Sequence, residues 1–390
     1  MLDEKYKSLI KKVSEIFGEE HIDLHKPLIR HQEKRLVKEC LDSGFVSTVG
    51  DMVTQFEQLL CIITGAKYCV ATINGTAGLH ASLMSVGVKA GDEVLTQPLT
   101  FVATSNAITY CNAKPIYIDV NEQNLGLCPE DLQKWLNDNT VFKNNVTINK
   151  LTGARVSACL PVHTLGIAAG INDLKTVCKK YNIKLIEDAA EGLGTTIKGK
   201  HVGTFGDAGV ISFNGNKIIT TGAGGAVLTN NKNLFLKLRH LTTTAKIPHT
   251  YEYQHDQIGY NYRLANINAA LGIAQLKQLN TFIKVKRNIH REYKKFCDEH
   301  KIEFIDSMKN CDSNCWLNAV LVQDKNVRKE FLEFCHTQGV YCRPIWKLIP
   351  EFPMYKDCQK TSLKVARDFA RRLICIPSSV PSHFTINPEI

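Results

Sequence analysis

No uninterrupted apolar stretch in this chain approaches the ~20 residues that cross a bilayer, so no membrane span is expected. Paired cysteines are missing as well. None of the 14 cysteines forms a Cys-x-x-Cys pair, and Cys311 and Cys315 have neither a second matching pair nor a histidine cluster. The common zinc patterns are thereby excluded. The chain opens Met1-Leu2-Asp3-Glu4-Lys5-Tyr6-Lys7, too charged for a secretory leader. Reduced thiols in a cytoplasmic protein are the expectation. Internal repeats and low-complexity tracts are also lacking. Blocks of basic charge are few despite a net charge of +10. Lys284-Val285-Lys286-Arg287 and Lys294-Lys295 read as a solvated helix face, and no aromatic-basic platform for bases stands out. No nucleic-acid partner is expected; a mild basic excess also suits a phosphorylated small molecule.

What is present fits a soluble globular enzyme. Hydrophobic residues make up 44% of the 390 and charged residues 22%, enough for a sizeable core and long enough for two domains. Residues 28–48 and 51–62 read as amphipathic helices, the second carrying Val53, Phe56, Leu59 and Leu60 at helical spacing. From about residue 65 short apolar runs alternate with helical stretches. Strands are expected over 68–73, 93–96, 114–119, 157–162, 184–187 and 208–213. Helices are expected over 76–88, near Thr104, and over 171–181. That alternation predicts an α/β unit with a mainly parallel sheet. After residue 240 a long helix over 266–294 leads into short strands at 316–322 and 340–343, separated by a helix over 326–338. A last helix covers 364–372. The expected division is a larger unit over 1–240, including the N-terminal helices, and a smaller α+β unit over 241–390.

Three local features carry chemistry. Lys217 stands in the Gly/Asn loop Ser212-Phe213-Asn214-Gly215-Asn216-Lys217, after an apolar strand. A desolvated lysine there can be nucleophilic, as a Schiff base requires; a loop lysine can equally face solvent. Asp188 ends the strand in Leu185-Ile186-Glu187-Asp188-Ala189-Ala190. Ligands of open α/β sheets bind at such strand ends, and a carboxylate there can hold a pyridinium proton. It can also simply cap a helix. Asn74-Gly75-Thr76-Ala77-Gly78 joins a strand to a helix, where free amides and the Thr76 hydroxyl can hold a phosphate.

Phosphate turn, aspartate and lysine, with Lys217 29 residues after Asp188, follow the chain order of aspartate-aminotransferase-like (fold type I) pyridoxal enzymes. From about His25 to Ser379 the sequence resembles the DegT/DnrJ/EryC1/StrS group of sugar-nucleotide aminotransferases. The resemblance implies pyridoxal 5'-phosphate as cofactor and assigns roles residue by residue. Gly75, Thr76 and Ala77 match the phosphate-binding turn, and Ser212 the serine that joins it. Phe101 matches a ring that stacks on the cofactor, although core packing is its alternative. Asp188 matches the ring-nitrogen partner, and Lys217 the Schiff-base lysine. Glu191 occupies a position near the cofactor's phenolic oxygen that is often Gln or His in relatives. In Gly259-Tyr260-Asn261-Tyr262-Arg263, Asn261 matches a residue that reaches the phosphate of the neighbouring subunit, which implies a homodimer with shared sites. Arg263 and Arg343 are candidates for substrate charge, or for structural ion pairs.

Within that group, the runs Ser212–Gly222, Leu241–Lys246 and Arg343–Leu348 are most similar to aminotransferases of legionaminic acid synthesis. That likeness implies amination at C4 of a UDP- or GDP-linked 4-keto-6-deoxy-N-acetylhexosamine, with glutamate as donor and a surface glycan as destination. Two departures stand out: Leu28-Ile29-Arg30-His31-Gln32-Glu33 before the first expected helix, and Ala223 at a common glycine position. His163 and His255 are expected to be structural. Relatives that dehydrate carry histidine in place of the lysine, which Lys217 excludes. A C3 aminotransferase of a 3-keto sugar stays open on spacing alone. A nucleotide-sugar binder without turnover is disfavoured by the intact lysine, aspartate and phosphate turn.

Overall fold

A computed structural model describes residues 2–384. Its centre is a seven-stranded sheet of Tyr68–Thr72 (β1), Glu93–Thr96 (β2), Lys114–Tyr117 (β3), Val156–Leu160 (β4), Lys184–Asp188 (β5), Ala208–Ser212 (β6) and Gly225–Thr229 (β7), in the order β1-β7-β6-β5-β4-β2-β3. From β6 to β3 every neighbouring pair is parallel. Only β7 runs antiparallel, against both β6 and β1. The strands are continuous apolar runs because helices cover both faces of such a sheet.

One face packs Val70, Val210 and Val227 against Leu79 and Leu83 of Gly75–Val86 and Leu234 and Leu238 of Lys232–Thr242. The other packs Leu95, Ile116 and Cys159 against Leu132 and Leu136 of Pro129–Asn139 and Ile171 and Leu174 of Ile171–Lys180. The expected helix near Thr104 spans Val102–Tyr110. A short hairpin, Thr140–Lys143 with Val146–Asn149, is an addition the sequence reading lacked. So are Pro129–Asn139, Lys232–Thr242 and the first helix, Glu4–Phe17.

The C-terminal part builds a four-stranded antiparallel sheet from Glu303–Phe304 (β8), Asn318–Leu321 (β9), Arg343–Pro344 (β10) and Leu373–Ile376 (β11), ordered β8-β9-β11-β10. The expected strand at 340–343 is thus a two-residue edge pairing. Residues 4–24 pack on this unit: Tyr6 meets Phe331 edge-to-face at 5.7 Å, Ile22 pairs with Val340, and Ser378 N–H donates to the Leu24 carbonyl. The long helix runs Asn266–Glu299 and lies against His31–Asp42 and Asp51–Thr64.

The departure at 28–33 has a structural account. Glu33 is buried and accepts from Arg30 N–H at 2.9 Å and from Gln275 Nε2 at 2.6 Å, so it ties its helix start to the long helix. The helix expected over 28–48 is shorter, His31–Asp42, ending at Ser43 and Gly44. Among the described residues no helix is long and apolar enough to cross a membrane, and no group of three or more His, Cys, Asp or Glu could hold a metal ion.

Candidate active site

Parallel strands end on one edge, and there the helix starts and strand-end loops face each other. A cavity of about 320 Å³ opens at that edge. Gly75, Thr76, Phe101, Thr104, Asp188, Glu191, Ser212, Asn216 and Lys217 line it from the large sheet's side, and Trp316 and Trp346 from the C-terminal part.

The turn after β1 is built for close approach. Asn74 caps the following helix by accepting the Ala77 N–H at 2.8 Å. Ala77 is buried and its donor is used, which removes it from the expected phosphate ligands. Gly75 and Thr76 keep that position, since amides of a first helical turn have no carbonyl one turn earlier. A Cβ on Gly75 would stand 3.1 Å from Ser212 Cβ and 3.3 Å from its Oγ, so only glycine leaves the gap between them open. Phe101 immediately precedes its helix and is 57% exposed, which excludes the core-packing alternative.

Asp188 is the last residue of β5 and no helix follows it, so the helix-cap alternative also fails. Its Oδ2 accepts from Thr104 Oγ1 at 2.8 Å and its Oδ1 from Ala190 N–H at 3.2 Å. Thr104 in turn shares a 2.8 Å bond with Thr100 Oγ1. Burial pushes the Asp188 carboxyl above the usual range, with the Thr104 and Ala190 bonds opposing. Its neighbour on the strand, Glu187, points away and is structural. It accepts the amides of Gly203, Phe205 and Gly206, each at 2.7 Å. Burial raises its carboxyl, but His163 at 3.1 Å and these amides outweigh that and leave it below the usual range. His163 is fully buried and also accepts the Ala169 N–H at Nδ1, so it is a structural histidine as expected.

Lys217 follows the turn closed by its own N–H on the Asn214 carbonyl. Its ammonium is not isolated among apolar groups, as the sequence alone suggested. It lies 3.1 Å from Glu191 Oε1 and 4.1 Å from the centre of the Trp316 ring. Trp316 is held by its indole N–H on the Asn216 carbonyl at 2.8 Å. Burial raises the Glu191 carboxyl and Lys217 opposes that rise. Ala223 lies outside the left-handed region, which its neighbour Gly222 occupies at φ +81°, so alanine costs nothing there.

Asn261 and Arg263 lie elsewhere. They line a separate cavity of about 560 Å³ with Arg239, Thr243, Thr244, Lys246 and His249. Arg263 is destabilised as a cation by burial and by Arg239. Arg343 sits exposed on the edge strand β10, outside the Lys217 cavity. Neither arginine has an ion-pair partner among the described residues, so the ion-pair alternative finds no support. His255 is exposed and bonds the Thr244 carbonyl through Nδ1 at 2.8 Å. Sequence reasoning missed Trp316, Trp346, Thr104 and Asn216 as lining residues. Thr104 was within reach, one helical turn after Phe101; the two tryptophans left no local signal.

The donor set fits a pyridoxal cofactor. Asp188 offers a buried carboxylate to a protonated ring nitrogen, and Lys217 offers a nitrogen to an aldehyde. A glycine gap with a serine beside it suits a phosphate, and an exposed aromatic ring suits a planar one. Fold and site together are those of fold type I pyridoxal-phosphate enzymes.

Residues 27–383 match the DegT/DnrJ/EryC1/StrS aminotransferase family, and the chain belongs to that family. Its members are pyridoxal-phosphate-dependent sugar aminotransferases, which fixes enzyme class and cofactor here. The chain is 34% identical over 358 residues to GDP-perosamine synthase of Escherichia coli O157:H7, covering 92% of this chain and 93% of that one. It is 31% identical to GDP-perosamine synthase of Vibrio cholerae over 360 residues, 92% and 94% of the two chains. Among solved structures, Helicobacter pylori PseC, an aminotransferase involved in the biosynthesis of pseudoaminic acid, superposes with a TM-score of 0.82 at 25% identity, covering 92% and 93%.

Proposed function

We propose that this enzyme transfers an amino group from glutamate to C4 of a nucleotide-linked 4-keto-6-deoxy-N-acetylhexosamine, for a surface glycan. The observation that carries the reading is the charge of the cavity. Lys217 is its one cationic lining residue and no arginine lines it, so one chain's cavity suits the neutral ring of the sugar, and the carboxylates of the glutamate donor must find their cations outside that lining. Perosamine and pseudoaminic acid in the relatives' names point to the same substrate class. The acetamido group and C4 rest on the runs similar to legionaminic acid aminotransferases.

In this reading the cofactor, when bound, supplies an electron sink. Lys217 provides the attacking nitrogen and afterwards carries the proton to and from the substrate carbon. Asp188 holds a proton on the ring nitrogen. Gly75, Thr76 and Ser212 hold the phosphate, Phe101 covers the ring, and Glu191 stands toward the phenolic side.

Two copies complete the site. The cavity of Asn261 and Arg263 is basic and separate, and the segments bordering it expose Phe45, Val46, Val49, Tyr251, Tyr253 and Ile258. Exposed apolar side chains of that number mark an interface. A two-fold dimer would carry each Asn261 toward the other copy's phosphate and Arg263 toward its nucleotide. A cytoplasmic location suits 14 cysteines that are all free.

The test is amination of UDP- and GDP-linked 4-keto-6-deoxy-N-acetylglucosamine, and of a 3-keto nucleotide sugar, with glutamate as donor. NMR of the product should show a new amine at C4. Amination at C3 alone, or of free keto acids alone, would refute the substrate.

A further inference from the structure

Lys217 Nζ and Glu191 Oε1 are 3.1 Å apart, and the two side chains are 12% and 4% exposed. Glu191 is also fixed from behind. Its Oε2 accepts the Leu165 amide at 2.8 Å, and its own carbonyl accepts from Asn314 Nδ2 at 2.8 Å. Leu165 delivers that amide from left-handed backbone, φ +58°, which a leucine adopts only when its surroundings impose it. Gly166 beside it packs so closely on Asn314 that a Cβ would stand 2.1 Å from Oδ1. Local strain and a tight glycine contact therefore serve to aim one amide at this carboxylate.

A lysine nitrogen can attack carbon only after it loses its proton. Glu191 is the single hydrogen-bond acceptor found for the Lys217 amine among the described residues. The other groups facing the pair offer no competing base. Trp316 presents a ring face. Asp188 is occupied by Thr104 and Ala190, and its charge adds to the rise of the Glu191 carboxyl. His163 is committed to Glu187, and Cys375, whose thiol burial and Glu191 push up, donates rather than accepts protons. His25, behind Trp316, is held below the usual histidine range by burial, with Lys286 and Lys217 adding to that fall.

We propose that Glu191 is a catalytic residue that takes the proton of Lys217 when the lysine condenses with the cofactor aldehyde, and returns it once the released lysine has finished its proton transfer. The inference rests on the proposed role of Lys217. In the condensation one N–H proton moves to Glu191 Oε1 and the freed lone pair forms a bond to the aldehyde carbon. The aldehyde oxygen leaves as water, taking the two remaining N–H protons. On release an incoming amine replaces the lysine at that carbon and passes it two N–H protons, so the lysine leaves as a neutral amine able to take the proton of the substrate carbon; Glu191 returns the third proton only when the lysine rests again as an ammonium. Once the ammonium is gone, only the Leu165 amide opposes the burial that favours a protonated Glu191, and the Asp188 charge adds to that burial, so the carboxyl is more ready to hold the proton than before.

The experiment mixes cofactor-free enzyme with pyridoxal phosphate between pH 6 and 9 and follows condensation by absorbance. It compares wild type with Glu191→Gln, which keeps an acceptor for the Leu165 amide, and with Glu191→Asp. At pH 7 the glutamine variant should condense at least about 100-fold more slowly. Its rate should climb about tenfold per pH unit, as hydroxide replaces the missing base, while wild type stays nearly flat. The aspartate variant should recover part of the rate and the flat profile. Calorimetric affinity for 4-deoxypyridoxine 5'-phosphate, which lacks the aldehyde, should be the same in all three. Equal rates and profiles for wild type and Glu191→Gln overturn the proposal. So does loss of analogue binding or of folding in both variants, which would make Glu191 a structural group only. Absence of any absorbing adduct in wild type overturns the Lys217 assignment itself, and this proposal with it.

Discussion

Asp188→Asn separates catalysis from architecture at the strand end. The asparagine can keep the local bonds. Its oxygen accepts the Ala190 N–H, now 3.2 Å from Oδ1, and its amide can donate to Thr104 Oγ1, now 2.8 Å from Oδ2. Thr104 can then turn its own proton toward Thr100, 2.8 Å away. What disappears is the negative charge that, in the proposed role, holds the proton on the ring nitrogen. Losing it should cost a factor of about 100 or more in kcat, on the order of 3 kcal/mol in the barrier.

Stability of the cofactor-free protein should move the other way. Burial raises the Asp188 carboxyl, so folding disfavours its ionised form. That penalty is absent below the ordinary aspartate range, grows as pH rises toward the folded-state value, and is complete above it. At neutral pH the asparagine variant escapes it and should melt at the same temperature as wild type or higher. At pH 3 the two should converge. Steady-state rates with the keto sugar and glutamate, and calorimetric melts of cofactor-free protein at pH 3 and 7, read both effects. Wild-type kcat in the variant, or a melt several degrees lower at pH 7, would refute the reasoning and leave Asp188 as a structural carboxylate.

Lys217→Ala should abolish turnover while the fold survives, and borohydride followed by mass spectrometry should find no cofactor attached; full residual transamination would sink the assignment. Phe101→Ala should weaken cofactor affinity by about 1 kcal/mol, roughly fivefold, with no change in the cofactor-free melt, because the ring is already mostly exposed; equilibrium dialysis against pyridoxal phosphate measures it. Mixing inactive Lys217→Ala and inactive Asn261→Ala subunits should restore part of the activity in hybrid dimers; a fully active monomer in sedimentation would exclude shared sites. Lys286 is fully buried, donates to the Ser378 carbonyl, and burial brings its amine down to about 7. The folded state therefore resists its charging, and raising pH from 7 to 9 should stabilise wild type relative to Lys286→Met by roughly 2 kcal/mol; identical pH dependence of the two denaturation midpoints would contradict this.

The sequence by itself determined much of what local physics encodes. Apolar runs such as Lys184–Asp188 alternate with amphipathic stretches such as Ile171–Lys180, and strand and helix periods differ enough to be read directly. Asn74-Gly75-Thr76 marks a capped helix start after a strand, and Asp188 marks a strand end. Each is a matter of nearest neighbours along the chain. Glu4–Phe17 escaped because a charged amphipathic stretch at the chain's start gave no contrast with a neighbouring element, and β10 was overextended because edge pairing depends on β11.

Only the tertiary structure decided what those local pieces face. Glu191 pairs with Lys217 because β5 and β6 are adjacent and parallel, so their following loops emerge side by side. Trp316 and Trp346 close the cavity because the C-terminal sheet packs over the strand ends. Asn261 lies outside the cavity of its own chain. None of these has a period or a spacing to read, because strand order and domain packing join residues that the chain keeps tens to hundreds of positions apart.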